Sequence, residues 1–127
     1  MVGLVLVSHS EKVAEGVKEL SLQMAEDVKI AAAGGTQDGR LGTDINKIIN
    51  AVNEVYSEDG VLILFDLGSS YMNAEMALEL LDYEGKVEIV DAGFVEGAVV
   101  AAVECSLNKS KAEIKRTLEK LSLHKMQ

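Results

Sequence analysis

Apolar and polar positions alternate along this chain in two rhythms. Val2-Gly3-Leu4-Val5-Leu6-Val7 and Val61-Leu62-Ile63-Leu64-Phe65 are uninterrupted apolar runs. Runs of that length and branching predict strands buried on both faces, as in a parallel sheet. Between and after them, apolar residues recur at helical spacing. Glu11 to Met24 carries Val13, Val17, Leu20, Leu22 and Met24, and a helix ending near Tyr56 carries Ile45, Ile48, Ile49, Val52 and Val55. A third helix, starting at Ser69 or Ser70, carries Met72, Met76, Leu78, Leu80 and Leu81, with both methionines expected in the core. Val28–Ala33 and the more polar Lys86–Val90 read as further strands, the latter at an edge. Phe94–Cys105 and a final segment over 110–122 (Ile114, Leu118 and Leu121 inward) read as helices, with a frayed tail after Leu121.

The order βαβαβαβα predicts a single α/β domain over residues 1–127. Its sheet is mainly parallel and doubly wound, with strand order 2-1-3-4 and helices on both faces. At 127 residues the chain has material for a hydrophobic core. Apolar residues are 48% and aromatic ones 4%, so that core is aliphatic. The formal charge of −9 disfavours nucleic acid and anionic membrane as partners and favours a basic one. No apolar run reaches spanning length, and Glu11 and Lys12 follow the first run too early for a signal peptide, so a cytoplasmic protein is expected. The one cysteine, Cys105, is expected to be packed in a helix and inert.

Chemistry concentrates at strand ends. His9, in Ser8-His9-Ser10, leaves the carboxyl end of the first strand; Asp66, in Phe65-Asp66-Leu67-Gly68-Ser69-Ser70, leaves the third. In the order 2-1-3-4 these strands are neighbours at the reversal of winding, where open α/β sheets bind ligands. A carboxylate on Nδ1–H fixes the imidazole tautomer, leaves Nε2 nucleophilic and stabilises positive charge on the substituted ring. Attack requires the neutral ring, so activity should fall in acid. Helix N-termini after His9 and Gly68 direct N–H groups at the crevice. Ser10, Ser69, Ser70 and Thr36 offer hydroxyls, and Gly35 and Gly68 permit close backbone approach. The turn Gly34–Gly42 has neither G-x-x-x-x-G-K-[ST] nor a clean G-x-G-x-x-G. No metal cluster is evident and no resident cofactor is needed. The set suits a phosphoryl group carried between proteins.

Each residue also has a plainer use taken singly. A histidine between serines can be a solvated helix-start residue, Asp66 a dipole partner, and Ser69 and Ser70 caps. His124 is expected to be solvated only.

The blocks Leu4–Ser10 with Ala14-Glu15-Gly16, Gly34–Thr43, Phe65–Ser69 and Gly93–Ala98 together resemble the DhaM family. DhaM is the phosphotransferase subunit of phosphoenolpyruvate-dependent dihydroxyacetone kinase, related to mannose-type IIA domains. The resemblance spans roughly residues 1–105. It implies phosphorylation of His9 on Nε2 by HPr, with Asp66 orienting the ring. It further implies transfer to ADP held in DhaL, the ATP so formed serving dihydroxyacetone on DhaK. It also implies a homodimer and, since no HPr-like domain follows here, a separate carrier. Mannose-type relatives exchange a C-terminal strand between protomers, whereas Ser110–Leu121 patterns as helix. Two alternatives stay open: donation to a sugar-transporting IIB domain, and a non-enzymatic module binding a phosphorylated ligand.

Overall fold

A computed structural model describes residues 1–126. Four strands, β1 (Gly3–Ser8), β2 (Ile30–Gly34), β3 (Val61–Phe65) and β4 (Val87–Val90), form one parallel sheet in the order β2-β1-β3-β4. Helices α1 (Glu11–Met24), α2 (Ile45–Val55), α3 (Gly68–Leu80), α4 (Phe94–Ser106) and α5 (Lys111–Glu119) complete the α/β architecture read from the sequence.

Period-two alternation divides the core. Leu4, Leu6, Leu62 and Leu64 face Val17, Ala98, Ala101, Ala102, Ile114 and Leu118 of α1, α4 and α5. Val5, Val7, Ile63 and Phe65 face Ile48, Val52, Val55, Ala74 and Ala77 of α2 and α3. Every residue of β1 and β3 is buried, and the shorter β4 lies at an edge. Cys105 is fully buried, and that burial pushes its thiol up to about 12, far from thiolate chemistry. Among the described residues no helix is long and apolar enough to cross a membrane.

Two helices turn a different face inward from the one their large residues suggest. α1 buries Ala14, Val17 and Ser21, leaving Val13, Leu20 and Met24 exposed. α3 buries Ser70, Ala74 and Ala77, leaving Met72, Met76 and Leu80 exposed, so the two methionines are not core residues. For α1 the reason is close approach. A Cβ built on Gly34 would stand 2.5 Å from the carbonyl oxygen of Ser10 and 2.8 Å from the Ala14 Cβ. Only small side chains fit between α1 and β2 at that spacing. Gly34→Ala should therefore cost about 2 kcal/mol, since the obstructing atoms are mainly backbone. Chemical denaturation reads this as a lower midpoint at unchanged slope.

Residues 120–126, after α5, are not frayed, and Gln127 lies outside the described residues. The buried Asp91 carboxylate, just past β4, accepts N–H bonds from Leu123 (3.3 Å), Lys125 and Met126 (3.1 Å). The helix itself ends earlier than the spacing suggested. It is opened by a capping box in which Ser110 and Glu113 satisfy each other's backbone N–H groups.

Candidate active site

The register sets the site. Val7 pairs with Phe65 across β1 and β3, so the next residues out, Ser8 and Asp66, leave the sheet side by side. His9 follows Ser8, and the Asp66 N–H donates back to the Val7 carbonyl (3.1 Å), which holds the two strand ends together past the last paired residues.

The Asp66 carboxylate is a hub with five donors. Its Oδ2 accepts from the His9 N–H (3.0 Å) and the Ser8 hydroxyl (2.9 Å). Its Oδ1 accepts from the Leu67 N–H (2.7 Å) and the Ser70 hydroxyl (2.8 Å), and lies 3.2 Å from His9 Nδ1. Burial alone would raise this carboxyl, but the His9 N–H, Ser70, Leu67 and Ser8 outweigh it and lower it from 3.8 to about 2. Asp66 is thus an acceptor at any ordinary pH, and the ring nitrogen facing it carries the proton. The Nδ1–H tautomer leaves a lone pair on Nε2. The Ser69 hydroxyl, 2.9 Å away, donates to it. Ser70 Oγ stands 3.0 Å from Nδ1, so one hydroxyl links ring and carboxylate.

The lowered Asp66 group also carries stability. Its folded value lies below its unfolded one, so the contribution is complete above pH 3.8 and is lost as pH falls toward about 2. With the side chain only 17% exposed, the full contribution is about 2 kcal/mol. The stability gap between wild type and Asp66→Ala, followed by urea unfolding, should hold steady above pH 4 and close below it.

The remaining residues singled out from the sequence have other tasks. Ser10 caps α1, its Oγ accepting from the Val13 N–H (3.2 Å), while its own N–H donates to Ser8 Oγ (3.0 Å). The Gly35 N–H donates to the Ser8 carbonyl (3.1 Å), and Gly35 has φ 72°, a conformation suited to glycine. Thr36 is turned into its own loop, donating to Asp38 and accepting from the Arg40 N–H. The structure therefore groups His9, Asp66, Ser69 and Ser70, and gives Gly35 and Thr36 to the wall behind them. The Gly42 N–H closes that wall onto the His9 carbonyl (2.7 Å). Gly68 and Ser69 occupy the first turn of α3, where N–H groups have no helical acceptor. No side chain caps α3, because its N-cap residue is Leu67, which carries no acceptor, while Ser69 and Ser70 inside the first turn bond His9 and Asp66.

Ser8 is a member that sequence reasoning passed over. It is fully buried, and its hydroxyl sits between Asp66 and the Ser10 N–H. The signal was available: a serine ending an otherwise apolar buried strand needs a partner inside. His9 itself is 29% exposed at the side chain, at the rim of the sheet. Leu41 in the turn before α2, Leu67 next to Asp66 and Met72 on α3 are exposed. Among the described residues no group of three or more His, Cys, Asp or Glu is placed to hold a metal ion.

Comparison with known proteins adds the lineage. The profile of a family described as the PTS system fructose IIA component matches residues 3–115. Phosphoryl donor subunit DhaM of Listeria innocua dihydroxyacetone kinase 2 is 45% identical over 121 residues, 93% of this chain and 97% of that protein. The phosphotransferase subunit DhaM of Lactococcus lactis is 35% identical over 123 residues, covering 97% and 98% of the two chains. The chain belongs to the DhaM family. DhaM of Escherichia coli is a much longer relative, 44% identical over 112 residues that make up 24% of its length. Among solved structures, one titled as the unknown-function protein EF1359 superposes with a TM-score of 0.83 at 35% identity, covering 94% of this chain and 93% of the other. A sigma-54 interaction domain protein from Enterococcus faecalis shares the fold, with a TM-score of 0.72 at 16% identity.

Proposed function

We propose that residues 1–127 act as one phosphocarrier domain of phosphoenolpyruvate-dependent dihydroxyacetone phosphorylation, with His9 as the residue that carries the phosphoryl group. One observation supports this above the rest: an accessible Nε2 lone pair on a ring whose Nδ1–H faces a carboxylate held at about 2. In the first step Nε2 attacks the phosphorus of phosphorylated HPr. The new N–P bond forms as the donor's N–P bond breaks, its electron pair returning to the donor imidazole. Positive charge on the His9 ring is met by Asp66, which stays ionised. The Ser69 hydroxyl gives up Nε2 and turns to a phosphoryl oxygen, joined by the first-turn N–H groups of α3.

In the second step a terminal phosphate oxygen of ADP, held in DhaL, attacks the same phosphorus. The bond to Nε2 breaks, the lone pair returns to the ring, and ATP for the dihydroxyacetone on DhaK is formed. Asp66 never changes protonation in either direction, so one geometry serves loading and unloading.

Protein partners fit the shape. His9 stands at an open rim, and the exposed Leu41, Leu67 and Met72 give a docking partner apolar surface to cover. The −9 charge speeds encounter with a basic carrier.

The decisive experiment incubates the chain with phosphoenolpyruvate, enzyme I and HPr, then adds DhaL with bound ADP. ATP formed in proportion to the phosphorylated chain is the expected result. Uptake without ATP, but with transfer to a mannose-type IIB domain, moves the assignment to sugar transport. No uptake at all, with retained binding of a phosphorylated ligand, leaves a regulatory module.

A further inference from the structure

The residues after α5 lie at the same end of the sheet as His9, and one of them reaches the backbone that carries Asp66. Lys125 Nζ donates to the carbonyls of Phe65 (2.6 Å), Ala92 (2.8 Å) and Asp66 (3.2 Å), and lies 4.5 Å from the centroid of the Phe65 ring. The pairing of β3 with β4 ends at Leu64 and Val90, so past that point these carbonyls have no partner across the sheet. An ammonium has three donors and here meets three acceptors. Burial pushes the amine down, while Asp91 and Asp66 push it up.

The segment is itself tied down. Asp91 takes the N–H groups of Leu123, Lys125 and Met126, and the Gly93 N–H donates to the Leu121 carbonyl (3.0 Å). The Lys125 carbonyl presses on the start of α3, 3.1 Å from where a Cβ on Gly68 would stand. One short strap thus touches both the strand end that presents Asp66 and the helix start that presents Ser69 and Ser70.

We propose that Lys125 is a positioning residue for phosphoryl transfer, fixing through the Phe65 and Asp66 carbonyls the strand end from which Asp66 orients His9. This rests on the phosphocarrier reading above. Lys125 touches neither His9 nor the phosphoryl group, and acts only through the placement of Asp66. Without its ammonium, three part-buried carbonyls lose their donor and the Asp66 turn shifts toward water. The carboxylate then no longer holds a single tautomer on the ring. Errors of about 1 Å in such a constellation are worth roughly 10²-fold in rate.

The test compares wild type with Lys125→Met and with Lys125→Cys before and after alkylation by bromoethylamine, which restores an ammonium at nearly the original reach. Cys105, buried with its thiol up at about 12, stays unmodified in the folded protein. Phosphoryl uptake from the phosphorylated carrier is followed together with the ¹⁵N shifts of the His9 ring. The expected result is a kcat lower by roughly 10- to 100-fold at unchanged KM. The ring should move from pure Nδ1–H toward a tautomer mixture, and both changes should reverse on alkylation. Ile114→Val, a core truncation, should lower the melting temperature without moving the ring shifts or kcat. A Lys125→Met chain that transfers as fast as wild type, or a ring spectrum unchanged in every variant, overturns the positioning role. So does alkylation that restores the melting temperature but not kcat. A wild-type chain that takes no phosphate would instead sink the phosphocarrier reading, and this inference with it.

Discussion

His9→Gln should take up no phosphate from the phosphoenolpyruvate relay while keeping its fold. The loss is of the nucleophile itself, on the order of 10⁴-fold or more, because no other group nearby can replace a neutral imidazole nitrogen. Ser69 has no base once the ring is gone, and the Asp66 carboxylate beside Ser70, held at about 2, is too weak a base to activate that hydroxyl. His124, the other histidine, is exposed in the segment after α5 and makes no bond to the Asp66 hub. Structurally the change is mild. The His9 N–H still donates to Asp66, the side chain is already 29% exposed, and the cost should be about 1 kcal/mol. Intact-mass spectrometry after the relay checks this: wild type gains one acid-labile phosphoryl group, and the variant gains none. Acid-labile uptake by the variant would place the chemistry elsewhere.

Asp66→Asn should lower the rate of phosphoryl uptake by about 10⁴-fold, the scale for replacing a tautomer-fixing aspartate by its amide. The carboxylate accepts on both oxygens, and an amide can accept on only one. If its NH₂ faces the Oδ1 side, it meets the Leu67 N–H and offers a proton to Nδ1. The ring then flips to the Nε2–H tautomer, whose lone pair is on Nδ1 against the amide and not on Nε2. If the NH₂ faces the Oδ2 side, it meets the His9 N–H, a backbone donor that cannot turn away. The strand end is then displaced. Either orientation also loses a charge-assisted bond, so stability falls by about 2 kcal/mol. Stopped-flow uptake separates this from a docking defect: kcat should fall while KM for the carrier holds.

Much of this was legible in the residues. Two uninterrupted apolar runs announced the central strands β1 and β3, because only a sheet covered on both faces needs them. Once they were neighbours, His9 and Asp66 had to leave the sheet together. The faces of α1 and α3 were less legible. Large apolar residues mark a buried stripe when helices pack at ordinary distance, but at Gly34 the backbone of α1 comes close to β2, so Ala14 lies inward there. On α3 the buried positions are Ser70, Ala74 and Ala77, and Met72 and Met76 are exposed. The glycine-rich turn suggests a flexible wall offering Gly35 and the Thr36 hydroxyl to a phosphoryl group. In the fold the N–H groups at 35 and 42 donate to the carbonyls of Ser8 and His9, and Thr36 bonds within its own loop. Least visible was the segment after Leu121, which has no periodicity at all. Its order comes from one buried aspartate and one lysine meeting across distant sequence, a kind of contact that no local pattern records.

The most direct measurement is the position of the phosphate on the ring, by ³¹P and ¹⁵N magnetic resonance of the chain after the relay. The expected result is a single N–P bond at His9 Nε2, with Nδ1 still protonated against Asp66. Phosphate on Nδ1, or on any residue other than His9, would contradict it.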